Sequence, residues 1–243
     1  TDMVPVDSEH FSIWSLLNNY QIGKNNNSYN LIDKLIITAS GGPFLNTSYK
    51  QFNKIKIKNA TKHPNWKMGK KISVDSATLV NKLFEVIEAQ RLFDLNMKQI
   101  FIKIHPKSYV HCILKLNNGL IKICAHDPDM SIPIFNTLNL ENRNYFTKKI
   151  NFKIFNNLKF SNVNKNKFSA IKILKDYPNK NTLFDTAVVS ANDELVNLFL
   201  NNKIKFLDIS KKLIKILKSK EMKKLKHIVP KNYNEISKIN DFV

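Results

Sequence analysis

Two hydrophobic rhythms run along this chain. Residues 35–39, Leu-Ile-Ile-Thr-Ala, form a short apolar run rich in β-branched side chains and closed by Gly41, Gly42 and Pro43. That pattern predicts a buried strand ending in a loop. Residues 101–104 and two arms around Asn118-Gly119 also read as strands, the second pair as a hairpin. A two-residue turn at Asn118-Gly119 would set Ile113 opposite Cys124 and Cys112 opposite Ala125. Residues 78–92 repeat apolar side chains at helical spacing, with Asp75 or Ser76 placed to cap the start.

The rhythm changes after Asn139. Residues 142–166 are dominated by Asn, Lys and Phe and read as a crossing linker with one short strand. From Phe168 onward the pattern is helical. One segment runs from Ala187 to Phe199. Another covers residues 209–217, with Asp208 or Ser210 to cap it. The expected organisation is an α+β or α/β domain over 1–141, a linker over 142–166, and a small C-terminal α-helical bundle over 167–243. The domain would hold a mixed sheet flanked by helices. Residues 25–30 read as a polar loop.

Composition narrows the function. The chain has 243 residues, 43% of them hydrophobic, which suffices for a real core. No apolar run approaches the roughly 18 residues of a membrane span. The opening Thr1-Asp2-Met3-Val4-Pro5 lacks the pattern of a leader and reads as the interior of a longer chain. The two cysteines, assigned to opposite faces of the hairpin, are expected to stay unpaired, as in a reducing compartment. The net charge of +20 invites a nucleic-acid partner. However, only Arg91 and Arg143 among the 39 basic residues are arginine, the side chain suited to reading phosphates and bases. The lysines are dispersed, which favours a solvated surface. GxGxxG, the dinucleotide fingerprint, occurs nowhere.

Four segments carry candidate chemistry. In Asp7-Ser8-Glu9-His10 an extended backbone would send both carboxylates to one side, toward one hard cation; an exposed turn or helix cap is the plainer reading. Ser40-Gly41-Gly42-Pro43 follows a strand, where glycines let backbone approach an anion and a serine hydroxyl can donate; a simple turn has the same letters. His63-Pro64-Asn65-Trp66-Lys67-Met68-Gly69 is a loop whose Trp66 and Met68 either cover a ligand or anchor the loop. In the helix after Ser76, a pitch of about 100° per residue places Asn81, Lys82 and Glu85 on one face and Leu79, Val80, Leu83, Val86 and Ile87 on the other. An amide, an ammonium and a carboxylate there fit a phosphate beside a metal, or an ordinary solvated face. His105, His111 and Asp129 are candidates for a supporting layer.

In order and identity these segments, with Ser73-Val74-Asp75-Ser76-Ala77-Thr78, Ile104-His105-Pro106 and Pro128-Asp129-Met130, resemble the signature segments of the 1-deoxy-D-xylulose 5-phosphate reductoisomerase family. The resemblance is dense over residues 4–133 and thinner at Ser190-Ala191-Asn192 and Ile204-Lys205-Phe206. It implies an NADPH-dependent reductoisomerase of the non-mevalonate isoprenoid pathway. Asp7, Glu9 and Glu85 would be its catalytic, Mg²⁺- or Mn²⁺-binding carboxylates. Ser8, Glu9, Ser40, His63, Ser76, Asn81, Lys82 and Glu85 would touch the substrate. Gly69 would lie against NADPH, with Trp66 and Met68 in a mobile flap. The resemblance also implies a cytoplasmic homodimer joined through the hairpin strands, or a plastid or apicoplast enzyme in a eukaryote, without nucleic acid or membrane. Two departures stand out. Leu83 occupies a position where the family usually has glycine, and the family's N-terminal nucleotide-binding domain has no counterpart in these residues. A truncated, catalytically silent scaffold of the same fold and a basic nucleic-acid binder are the alternatives.

Overall fold

The protein is described from a computed structural model, which describes residues 3–18, 31–138 and 152–243. The predicted loop at 25–30 and the first part of the predicted linker, 142–151, lie outside the described residues. In chain order the elements are α1 (Ser8–Asn18), β1 (Ile32–Ala39), α2 (Ile57–Ala60), α3 (Lys70–Thr78), α4 (Val80–Phe93), β2 (Ile100–Ile104), β3 (Val110–Leu116), β4 (Ile121–Ala125), α5 (Ser131–Leu138), β5 (Ser161–Asn162), α6 (Leu183–Leu200), α7 (Phe206–Leu217), α8 (Lys220–Leu225) and α9 (Tyr233–Phe242). Among the described residues no helix is long and apolar enough to cross a membrane.

The elements gather into two compact units, one of Thr1–Ser40 with Leu92–Val163 and the other of Gly41–Arg91 with Asn164–Val243. The first holds a mixed five-stranded sheet in the order β4-β3-β1-β2-β5. Strand β1 runs parallel to β2, with Leu35 opposite Ile100 and Ala39 opposite Ile104. The other pairings are antiparallel. Leu35 and Ile37, which share one face of central β1, are fully buried, whereas Ile36 between them is half-buried and Lys34 is exposed. Each fully buried side chain of this kind contributes about 1.5–3 kcal/mol of burial. Helix α1 packs on β3 and β4, and α5 packs on α1.

The hairpin differs from its expected register. Leu116 N–H donates to Leu120 O at 2.9 Å, so the loop is the three residues Asn117, Asn118 and Gly119, not two. Gly119 has φ +88°, the left-handed residue that such a loop requires. The extra loop residue slips the pairs from Cys112 to Lys115 by one, so that Cys112 faces Cys124 and Ile113 faces Ile123. The two sulfurs therefore share a face, against the expectation of opposite faces. Both thiols are free.

The second unit is helical. Helix α6 packs against α3, α7, α8 and α9. Its core contains an aromatic cluster in which the Phe206 ring lies 5.1 Å from Phe44, 5.7 Å from Phe52 and 5.8 Å from Phe199, each edge to face. Phe44 and Phe52 come from the segment before α3, while Phe199 and Phe206 come from the C-terminal helices. A cut along the chain at 141 or 167 divides these partners, which is why the compact units are discontinuous in sequence. Arg91 forks onto Asp185, with Nη2 donating to Oδ1 at 3.1 Å and to Oδ2 at 2.9 Å. Tyr177 donates to the same carboxylate at 2.8 Å.

The single helix expected over 78–92 is two. Leu79 sits at φ 62°, left-handed, and ends α3; α4 starts at Val80. Asp75 and Ser76 are consequently inside the last turns of α3 and do not cap the following helix. A leucine in this conformation is strained. Its side chain is buried at 2% exposure, so apolar burial outweighs the local preference. Helix α7 likewise begins at Phe206, three residues ahead of the expected start. Asp208 accepts from the Lys205 N–H at 3.0 Å, one turn inside the helix start.

Candidate functional site

The second unit holds most of the polar residues singled out from sequence. Gly42 has φ +65°, and a Cβ built on it would lie 2.9 Å from Ser76 O and 3.0 Å from Ala77 Cα. Backbone meets backbone here, and only glycine fits. The loop after β1 is thereby pressed onto the α3 turn that carries Ser76. Just past the break at Leu79, the first turns of α4 present Asn81, Lys82 and Glu85 together. Asn81 Nδ2 donates to Glu85 Oε1, and Lys82 Nζ donates to Glu85 Oε2. Lys82 and Glu85 are each only 5% exposed. Leu83, in place of the family's usual glycine, is fully buried on the opposite face.

His63 stands at the start of the loop before α3. Its Nδ1 accepts from the backbone N–H of Asn65 at 3.1 Å and of Trp66 at 3.0 Å. A nitrogen that accepts carries no proton, so Nε2 holds the hydrogen and is a donor. Burial, reinforced by the nearby Lys82 ammonium, lowers the His63 pKa to about 4. The imidazole is therefore neutral near pH 7. Trp66 and Met68 are partly buried. Gly69 caps α3 with φ −60° and ψ 162°, a conformation open to any residue. A Cβ there would meet nothing within 4 Å.

The sheet unit carries the remaining residues. The Asp7-to-His10 segment opens a helix, as its plainer reading as a helix cap has it, and is not the extended backbone that the metal-binding reading assumed. Phe11 N–H donates to Asp7 O at 2.7 Å, which makes Asp7 the residue that opens α1. Carboxylates are favoured at this end of a helix. Buried His10 donates Nδ1–H to Asp7 Oδ2 at 3.0 Å. Ser8 Oγ donates to Glu9 Oε2. Ser40 directly follows β1. His105 follows β2; its Nδ1 donates to Lys159 O at 3.1 Å, its ring stacks on Phe160, and burial lowers its pKa.

Sequence reasoning missed three features. Gly42 was read as a loop glycine, not as a contact with Ser76. His126 stacks on His111 with centroids 3.8 Å apart, and its Nδ1 donates to Asp127 O at 2.7 Å. Burial lowers its pKa against the pull of Glu9, Asp127 and Asp129. Finally, Asn192 of α6 donates to Asp75. A polar residue on the apolar stripe of Val188, Ala191 and Leu195 was the signal for this one.

Comparison with known proteins adds the family. The profile described as the 1-deoxy-D-xylulose 5-phosphate reductoisomerase C-terminal domain matches residues 3–93. A second, the DXP reductoisomerase C-terminal domain, matches residues 126–241. The 1-deoxy-D-xylulose 5-phosphate reductoisomerase of Pelagibacter ubique is 54% identical over 244 residues, covering 100% of this chain and 61% of its own length. That of Treponema denticola is 38% identical, covering 96% of this chain and 58% of its own length. The crystal structure of DOX-P reductoisomerase in complex with NADPH, fosmidomycin and magnesium superposes with a TM-score of 0.91 at 33% identity, over 98% of this chain and 60% of that one. The enzyme from Zymomonas mobilis in complex with NADPH gives 0.79 at 30% identity, over 98% and 59%. With both profiles and these relatives naming one enzyme, and with the chain spanning about three fifths of the relatives' length, the chain belongs to the 1-deoxy-D-xylulose 5-phosphate reductoisomerase family and matches its C-terminal domains.

Proposed function

We propose that this chain supplies the metal- and phosphate-binding part of an enzyme that converts 1-deoxy-D-xylulose 5-phosphate to 2-C-methyl-D-erythritol 4-phosphate with NADPH and Mg²⁺ or Mn²⁺. The observation that carries the reading is the α4 face, where Asn81 and Lys82 hold the buried Glu85 carboxylate. Family membership supports it, since a DOX-P reductoisomerase has been solved with NADPH, fosmidomycin and magnesium.

Asp7, Glu9 and Glu85 would hold the cation. All three are hard oxygen donors, as Mg²⁺ or Mn²⁺ requires. When bound, the cation supplies Lewis-acid polarisation of the substrate's oxygens. The protein's own groups bind and orient. Ser40 and Ser76 hydroxyls, the Asn81 amide, the Lys82 ammonium and His63 Nε2–H are all donors and suit a phosphate. Ser8 and Glu9 would reach the sugar. Binding the remote phosphate fixes the reacting end. Trp66 and Met68 would close over the ligands and exclude water. Open space at Gly69 leaves room for a flat cofactor face.

Lys82 and Asn81 both donate to Glu85, so a phosphate on them would draw on the same ammonium and amide that hold the carboxylate. Glu85 would turn from Lys82 and Asn81 to a cation when one is bound, and Lys82 turning to a phosphate would release Glu85 in return. The two ligands should therefore bind with positive linkage.

The enzyme would act as a homodimer in the bacterial cytoplasm. Exposed Ile121 and Ile123 on edge strand β4, with exposed Leu120 just before it, support a sheet-edge interface, because such an edge needs cover. Sedimentation of an Ile121→Lys, Ile123→Lys variant should show monomer where the parent shows dimer. The functional reading is tested by titrating the chain with fosmidomycin, with and without Mg²⁺. Mg²⁺-dependent binding, lost in Glu85→Gln, is expected. Equal binding without Mg²⁺, or by Glu85→Gln, would overturn it.

A further inference from the structure

Asn192 is fully buried on α6, on the stripe that faces the core. Its Nδ2 donates to Asp75 Oδ1 at 2.8 Å, while its Oδ1 has no partner among the described residues. An apolar side chain would avoid that orphaned acceptor, so the amide is there for the one bond it makes. Asp75, 2% exposed, uses its second oxygen for Lys71 Nζ at 3.0 Å. Lys71 reaches on to Asp193 at 2.8 Å and lies over the Phe84 ring at 5.4 Å. Two successive residues of α6, Asn192 and Asp193, thus moor α3 at two points one turn apart, Asp75 and Lys71.

Ser76 follows Asp75 directly. Gly42 leaves no space for even a methyl group against Ser76 O. Thr78 Oγ1 lies 3.1 Å from Val74 O and Asp75 O and closes the turn. The backbone at Ser76 is therefore in contact with Gly42 and adjoins a residue bonded to α6. Upstream, Ser73 bonds back to Gly69 O at 2.8 Å, so the first turn of α3 is stiff as well. Any movement of the loop over residues 63–69 must hinge before Lys70.

We propose that Asn192 and Asp75 are positioning residues, through which the C-terminal helices fix Ser76 for an anionic ligand. The proposal rests on the phosphate reading above. It gives the C-terminal helices a part in the site without assigning any of their residues to the ligand itself. A merely structural bond between two helices would look the same at rest, but it would not tune phosphate affinity.

The test measures inorganic phosphate binding by calorimetry and amide exchange over residues 74–79. In Asn192→Asp two carboxylates face each other. Phosphate affinity should fall about tenfold and local exchange should rise about tenfold, each equivalent to one decade in an equilibrium constant. The exchanged pair, Asp75→Asn with Asn192→Asp, restores an amide against a carboxylate and should bring both back to within about threefold of the parent. If Asn192→Asp does not fold, Lys71→Met, altered at a half-exposed head group, should still weaken phosphate about threefold. Unchanged phosphate affinity in these variants, while Ser76→Ala weakens it, would overturn the positioning role. Unchanged affinity in Ser76→Ala would sink the phosphate reading instead, and exchange over 74–79 would then decide the mooring alone.

Discussion

The chain's two acidic clusters are built on opposite plans. Glu85 lies inside the second unit, 5% exposed, with both oxygens engaged by its own helix. Asp7 opens a helix of the sheet unit with 44% of its side chain exposed, steadied by His10. One carboxylate is locked by desolvated partners; the other is held by a helix end and water. The common role toward a cation proposed for them would therefore rest on unequal structural commitments. Damage to the first should appear in folding, and damage to the second in binding alone.

Lys82→Met is the most severe break. It leaves a buried carboxylate without its ammonium and should cost about 3 kcal/mol in urea unfolding. Gly42→Ala comes next. The built Cβ collides with backbone on both sides of the Ser76–Ala77 peptide, and φ +65° disfavours a side chain. A loss of about 2 kcal/mol is expected. Stability should also fall with acid. The folded His63 pKa of about 4 lies below its ordinary 6.5, so the unfolded chain takes the proton first. The loss should begin as pH drops through about 6.5 and level off below about 4, and the His63 ring protons should titrate in step. Asp7→Asn is the mildest. Its exposure limits the cost to about 0.5 kcal/mol, although it removes a proposed metal ligand. A cost for Asp7→Asn equal to that for Lys82→Met would erase the contrast.

Much of the fold is legible in the sequence where one period dominates. The apolar run at 35–39 lies in β1, and the stripe from Ala187 to Phe199 lies in α6. The hairpin exists where Asn118-Gly119 marks it, but its register depends on whether the loop has two residues or three. Both loops fit those letters, and only the flanking packing decides. The break at Leu79 is invisible because leucine favours helix; tertiary burial imposes the left-handed turn. At the site, Asn81, Lys82 and Glu85 come together by helical pitch alone. The Gly42–Ser76 contact and the Asn192–Asp75 bond join residues about 34 and 117 positions apart, and no local pattern contains them.

The linkage between cation and phosphate tests the central claim most directly. Mn²⁺ is titrated into the chain by electron paramagnetic resonance, with and without inorganic phosphate, in the parent and in Glu85→Gln. The account requires phosphate to tighten Mn²⁺ at least about fivefold in the parent and to do nothing in Glu85→Gln. Mn²⁺ binding that ignores phosphate, or that survives Glu85→Gln unchanged, would contradict it.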